Sequence, residues 1–251
     1  MRDIIVYVDQ GVSGEALRQT VKGLQQEVDL TQHTIKRMDA KQLITDPWEK
    51  ETALVVMPGG RDVYYHSALD GIGTQKIRRF VEAGGSYLGL CAGAYFASES
   101  IEFEKGGRLQ VCGRRSLELY PGIAVGPAYG PGKYSYENDQ GVEAAHISWG
   151  DEECFAYFNG GCYFESPHQF SNVRILSSYL NLEERPAAMI ECKVGNGRAL
   201  LSGVHIEFNS ALLGRGSRYF ERVYPLLEKA ENKRREIFQE VLKRLNINLK
   251  Q

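Results

Sequence analysis

No run of apolar residues in this 251-residue sequence approaches the roughly 18 needed to cross a bilayer. The opening stretch Met1-Arg2-Asp3-Ile4-Ile5-Val6-Tyr7-Val8-Asp9 is too short in its apolar part to be a signal peptide. A cytoplasmic chain with no membrane partner is the expectation. Neither charge dominates: 30 Lys+Arg stand against 32 Asp+Glu, a formal net charge of −2. That balance lacks the basic footprint of a nucleic-acid binder, so no nucleic acid is expected and small molecules become the expected ligands. No C-x-x-C occurs, and Cys91, Cys112, Cys154, Cys162 and Cys192 are odd in number, so a zinc ribbon and a full disulfide framework are excluded. No metal and no cofactor are expected. Nucleotide motifs are incomplete too: Gly71-Ile72-Gly73 has Lys76 where a third glycine would close G-x-G-x-x-G, and no Walker lysine motif exists. With 8 Pro and 27 Gly against 43% hydrophobic residues, collagen-like and disordered chains are excluded as well.

What is present reads as one α/β domain, whose length is enough to bury roughly three quarters of the unfolded surface. Ile4 to Val8 is a β-branched apolar run, a buried strand. Ser13 then caps a helix carrying Ala16, Leu17, Val21, Leu24 and Val28 at helical spacing, and Leu30 to Met38 has the alternation of a more exposed strand. Ala53 to Met57 is a third strand, Ile72 to Ala83 a helix closed by Gly84-Gly85, and Ser86 to Leu90 a fourth strand. Such alternation predicts a mostly parallel sheet with helices on both faces. From about residue 103 to 170 the chain turns Gly- and Tyr-rich without helical period, which predicts a β-rich insertion. Its tyrosines 120, 129, 134 and 136 fit either an adaptable lid or a loop packed by its own aromatics. Asn196-Gly197 between Met189–Val194 and Arg198–Val204 marks a hairpin whose second strand ends at His205. A last helix spans about 218–245, with Pro225 as a kink or restart and a basic face read as solvated, because Glu228, Glu231, Glu236 and Glu240 interleave it.

Gly89-Leu90-Cys91-Ala92-Gly93-Ala94-Tyr95 follows a strand and opens a helix, the context of a nucleophile elbow with cysteine at its apex. Small neighbours let strand and helix approach, and the helix start favours a thiolate. The bland alternative is a buried structural cysteine at a tight turn. A thiol nucleophile needs a base and an orienter, and His205-Ile206-Glu207 supplies both residue types two apart, on one face of a strand. The other histidines have weaker settings: His33 on a polar strand, His66 in a tyrosine-rich loop, His146 beside Ser148 and Trp149, and His168 after Pro167. Acyl chemistry also needs oxyanion donors, each contributing roughly 3–4 kcal/mol in comparable sites. Gly59 and Gly60, leaving the strand before the elbow, and the N–H of Ala92 are the candidates.

These segments carry a resemblance. Gly89-x-Cys91-x-Gly93, Pro58-Gly59-Gly60 upstream and His205-x-Glu207 downstream resemble the class I glutamine amidotransferase-like superfamily in order and context. More narrowly, Met57-Pro58-Gly59-Gly60-Arg61-Asp62, the elbow, and Tyr157-Phe158-Asn159-Gly160-Gly161-Cys162-Tyr163-Phe164 resemble the N-terminal domain family of biotin–protein ligases, which also occurs as free-standing bacterial proteins. The resemblance runs over nearly the whole chain. It implies a Rossmann-like, flavodoxin-like sandwich with Cys91, His205 and Glu207 at the carboxyl edge of the sheet, and cysteine-dependent amide chemistry. Two departures stand out: Ile206 occupies the place where glutaminases usually carry proline, and the glutamine-gripping segments have no counterpart after Phe103. Gly214-Arg215-Gly216-Ser217 resembles a biotinyl-adenylate loop only faintly, with no ligase catalytic domain after it.

Three readings of Cys91 follow. It is the nucleophile of an amide hydrolase acting on a small-molecule amide, with a separate protein partner required for any amidotransfer. Alternatively the chain is a ligand- or protein-binding module that keeps the shape without turnover. Thirdly, Cys91 is a redox-sensing thiol.

Overall fold

The computed structural model describes residues 1–214 and 217–250. The elements in chain order are β1 (Arg2–Tyr7), α1 (Gly14–Glu27), β2 (His33–Met38), α2 (Ala40–Thr45), β3 (Thr52–Met57), α3 (Asp62–Leu69), α4 (Ile72–Glu82), β4 (Ser86–Leu90) and α5 (Ala92–Ala97). Then follow β5 (Ser98–Phe103), β6 (Val111–Arg114), β7 (Tyr120–Gly126), β8 (Val142–Trp149), β9 (Glu152–Asn159), β10 (Tyr163–Phe164), β11 (Val173–Ser178), β12 (Ala187–Val194), β13 (Gly197–Ser202) and α6 (Phe220–Arg244). Eleven strands join one mixed sheet in the order β2-β1-β3-β4-β13-β12-β10-β7-β5-β6, with β11 paired to β12. From β2 to β13 every pairing is parallel; beyond β13 most are antiparallel.

Strand alternation sorts the core into two layers. Ile5 and Tyr7 of β1, with Val55, Met57 and Tyr87, face α2 to α5. Ile4 and Val6, with Leu54, Val56, Leu88 and Leu90, face α1, α6 and the β8–β9 hairpin. Helices therefore cover both faces of the parallel half. Between α5 and β12 the chain holds only strands and one short 3-10 turn at Pro167–Gln169. Among the described residues no helix is long and apolar enough to cross a membrane.

Several local expectations shift. β2 begins at His33, since Asp29 to Thr31 form a turn fixed by the Asp29 carboxylate accepting from Thr31. His66 lies on α3, not in a loop. That helix, DVYYHSAL, has poor intrinsic propensity and is held by tertiary contact: Tyr65 is fully buried, and its hydroxyl lies 3.3 Å from the Pro58 carbonyl and 3.2 Å from that of Gly59. The hairpin turn is Gly195-Asn196, one residue earlier than expected, because Val194 pairs with Gly197 and Gly195 takes the positive φ of 57°. α6 runs through Pro225 without interruption. Its basic face is not simply solvated: Arg234 is buried, Arg235 pairs with Glu27, and Lys233 pairs with Glu152 and Glu236.

Candidate active site

The elbow starts from the apolar strand β4, which ends at Leu90 and turns sharply into α5. Cys91 sits at the turn with φ 51° and ψ −102°, a backbone conformation that disfavours any side chain by roughly 1–3 kcal/mol. Its N–H donates to the Ser202 carbonyl at 2.8 Å, tying the elbow to the end of β13. Its carbonyl accepts from Ala94 and Tyr95, which starts α5. Gly93 has no freedom to be anything else: a Cβ there would lie 2.0 Å from the Met57 carbonyl oxygen. The small residues of the motif thus let α5 press onto β3 and lift the thiol out at the sheet's carboxyl edge.

His205 and Glu207 do not lie on a strand. β13 stops at Ser202, and His205 instead makes a single antiparallel bridge to Tyr157 of β9, its N–H donating to the Tyr157 carbonyl at 2.8 Å. Glu207 sits in the following turn. The face-sharing argument therefore fails in form, yet the pair meets: His205 Nδ1 and Glu207 Oε1 are 2.8 Å apart, with the histidine nearly and the glutamate fully buried. The second carboxylate oxygen, Oε2, has no hydrogen-bond partner among the described residues. Phe208 packs beside the imidazole at 4.3 Å between ring centroids, and Tyr157 at 5.7 Å. Burial pushes the His205 pKa down, but the Glu207 charge and hydrogen bonds to Cys91 and Glu207 outweigh it and raise the value to about 10. The imidazole therefore holds a proton at neutral pH, and it lines the same cleft as the thiol.

The Gly-Gly loop completes the arrangement. A Cβ at Gly59 would lie 2.6 Å from His205 Cε1, so only glycine leaves room for the ring. Gly60 has φ 152° and bridges Val12. In that bridge Ser13 N–H donates to the Gly59 carbonyl and Arg61 N–H to the Gly11 carbonyl. This is the pattern in which Gly60's own N–H points away from the partner segment. Ala92, the first residue of α5, has an N–H without an intrahelical acceptor. Gly59, Gly60, Cys91 and His205 line one cleft of about 540 Å³, and Gly60, Cys91 and Ala92 share a small adjoining chamber of about 30 Å³. All six candidate site residues are thus brought to one place except that Glu207 stands behind His205, away from the cleft.

Residues that sequence reasoning left out also build the site. Asn159 offers its carbonyl to the Cys91 thiol at 3.9 Å. Tyr134 lines both cavities and contacts Phe103 and Tyr136 edge to face, so the tyrosine loop is packed by its own aromatics while it also roofs the thiol. Arg234 of α6 donates to the Ile206 carbonyl and pairs with Glu231, fixing the turn that carries His205 and Glu207. The Tyr157–Phe164 motif was the available signal for the first of these; a buried arginine on a charged helix gave none. The remaining histidines stand outside the cleft. His33 contacts the Arg2 carbonyl, His146 pairs with Glu153, and His168 lies in the 3-10 turn. Lys76 is spent on the Ile44 and Asp46 carbonyls rather than on a phosphate loop. Of Gly214-Arg215-Gly216-Ser217, residues 215 and 216 lie outside the described residues.

Residues 2–251 match the family model described as "Biotin-protein ligase, N terminal". The chain belongs to this family. A protein of Chlamydia muridarum described as uncharacterized is 45% identical over 212 residues, covering 83% of this chain and 81% of its own. The biotin–protein ligase of Schizosaccharomyces pombe is 35% identical over 255 residues, spanning 98% of this chain but 38% of the ligase. The chain therefore matches little more than a third of that enzyme's length. Among solved structures, a glutamine amidotransferase of Thermotoga maritima superposes with TM-score 0.59 at 11% identity, covering 97% of both chains. PurLQS of the same organism superposes with TM-score 0.57 at 13% identity, over 91% of this chain and 98% of its own. At such identities the likeness carries the fold: this family member has a glutamine amidotransferase-like α/β fold.

Proposed function

We propose that this member of the biotin–protein ligase N-terminal family is a cysteine-dependent amide hydrolase of amidotransferase type, acting on a small-molecule amide through an acyl-enzyme. The observation that carries the reading is the meeting of Cys91, at a strained turn, with His205 backed by the fully buried Glu207. Cys91 Sγ attacks the amide carbon while its proton rests on His205. The oxygen of the tetrahedral intermediate takes hydrogen bonds from the N–H groups of Gly60 and Ala92. His205 then gives its proton to the departing amine, leaving a thioester. Water attacks that thioester, its proton passes back to His205, and the acid leaves as Cys91 is restored. Glu207 holds the imidazole with Nδ1 toward itself and stabilises its charged form.

The test is alkylation of Cys91 by iodoacetamide at neutral pH, read site by site by mass spectrometry. The expected result is labelling at least tenfold faster than at the exposed Cys112 of the same chain, lost in His205→Ala. Incubation with a pool of small amides should then leave an acyl adduct on Cys91 that is absent from Cys91→Ser. Labelling of Cys91 no faster than Cys112 and indifferent to His205 overturns the reading in favour of a binding module without turnover.

A further inference from the structure

The small chamber beside the thiol has a cationic wall that the proposed chemistry does not use. Its lining includes Gly60, Cys91 and Ala92 together with Arg61, Asp62, Tyr134 and Tyr136. The Arg61 guanidinium carbon lies over the Tyr136 ring, 3.5 Å from its centroid. That cation–π contact leaves the N–H donors of the group available to an acceptor. Among the described residues no carboxylate pairs with it. The adjacent acid, Asp62, is already engaged: its Oδ2 accepts from Arg115 Nε at 2.7 Å in a buried pair. Arg61 is therefore a guanidinium held against an aromatic ring, without a carboxylate partner among the described residues, next in sequence to Gly60 and lining the same chamber as Cys91.

We propose that Arg61 is the anchor for a carboxylate carried by the substrate close to the carbon that Cys91 attacks, so that the enzyme selects acidic amides. The inference rests on the nucleophile reading of Cys91. Guanidinium and carboxylate match as two parallel N–H···O bonds, which a point charge does not reproduce. The carboxylate is the planar partner whose two oxygens match that fork, and the chamber that Arg61 lines is small beside the neighbouring cleft. Cys91 and Ala92 line the same chamber, so a carboxylate held there lies close to the reacting carbon. Tyr136 holds the guanidinium in place, and Tyr134 lines both the chamber and the large cleft.

Paired alkylating reagents test this directly. Iodoacetate and iodoacetamide both lose iodide as Sγ forms a bond to their CH₂ carbon, but only iodoacetate places a carboxylate one bond from that carbon. The ratio of the two rates at Cys91, normalised to that at Cys112, should fall about tenfold in Arg61→Gln, with the iodoacetamide rate within about twofold of wild type. Arg61→Lys should restore only part of the ratio, and Tyr136→Phe, which keeps the ring, should leave it unchanged. A fast Cys91 whose ratio is the same in wild type and Arg61→Gln overturns the carboxylate anchor and leaves the nucleophile intact. A Cys91 slow toward both reagents overturns both.

Discussion

His205 is kept protonated by its surroundings, and this makes its contribution to stability depend on pH. In the unfolded chain an imidazole titrates near 6.5, whereas in the fold the value is raised to about 10. A raised value means that the stabilisation is fully present below about pH 6.5 and is lost as pH climbs through about 10. The melting temperature of the wild type should therefore exceed that of a His205→Asn/Glu207→Gln double variant most at pH 6. Calorimetry at pH 6, 8 and 10 should find the gap narrowing stepwise; a gap independent of pH would mean that the pair is not charged in the fold. At this scale the sequence was legible for the gathering of Cys91, His205 and Glu207, because an elbow cysteine and an H-x-E segment are patterns with few alternatives. Arg61 and Arg234 were not, and Tyr134 stood only as one of four tyrosines of a lid or a self-packed loop, since an arginine or tyrosine becomes special only through what the fold sets beside it.

Among the elements, α6 holds the site from behind. Arg234 is buried, donates to the Ile206 carbonyl and pairs with Glu231, which in turn accepts from the N–H and hydroxyl of Ser210. This network pins the turn on both sides of Glu207. Arg234→Met fills the space but leaves a carbonyl and a carboxylate without their partner, and should cost about 3 kcal/mol in urea unfolding. It should also slow Cys91 alkylation at temperatures where the variant remains folded, because the imidazole loses its anchor. The strands β1, β3 and β4 and helices α1 and α4 were legible from apolar period and capping. α3 was not, because its residues are weak helix formers and the buried Tyr65 that stabilises it acts through tertiary packing. The strand read as ending at His205 in fact ends at Ser202; composition does not reveal that the chain leaves the sheet there to bridge β9.

Across the whole molecule, the five thiols separate by environment. Cys112 is exposed, and Cys91 opens into the cleft. Burial raises the Cys154 thiol to about 11 and pushes Cys162 and Cys192 higher still. A chromogenic disulfide reagent at pH 8 should therefore titrate two thiols in the native protein and all five in guanidinium. A Cys91→Ser variant should show one in the native state, which identifies the second thiol.

The sequence by itself determined the architecture and the elbow: alternating apolar strands and amphipathic helices require a two-faced sheet, and the glycines around Cys91 require a tight turn. Those are local rules, written in neighbours along the chain. Only the tertiary structure decided how the residues meet. The backbone of Tyr157 positions His205, the bridge from Val12 turns the Gly60 N–H outward, and Arg115 takes the Asp62 carboxylate beside Arg61. Each of these depends on a contact between segments far apart in sequence, and such contacts are set by the packing of the whole fold rather than by any local pattern.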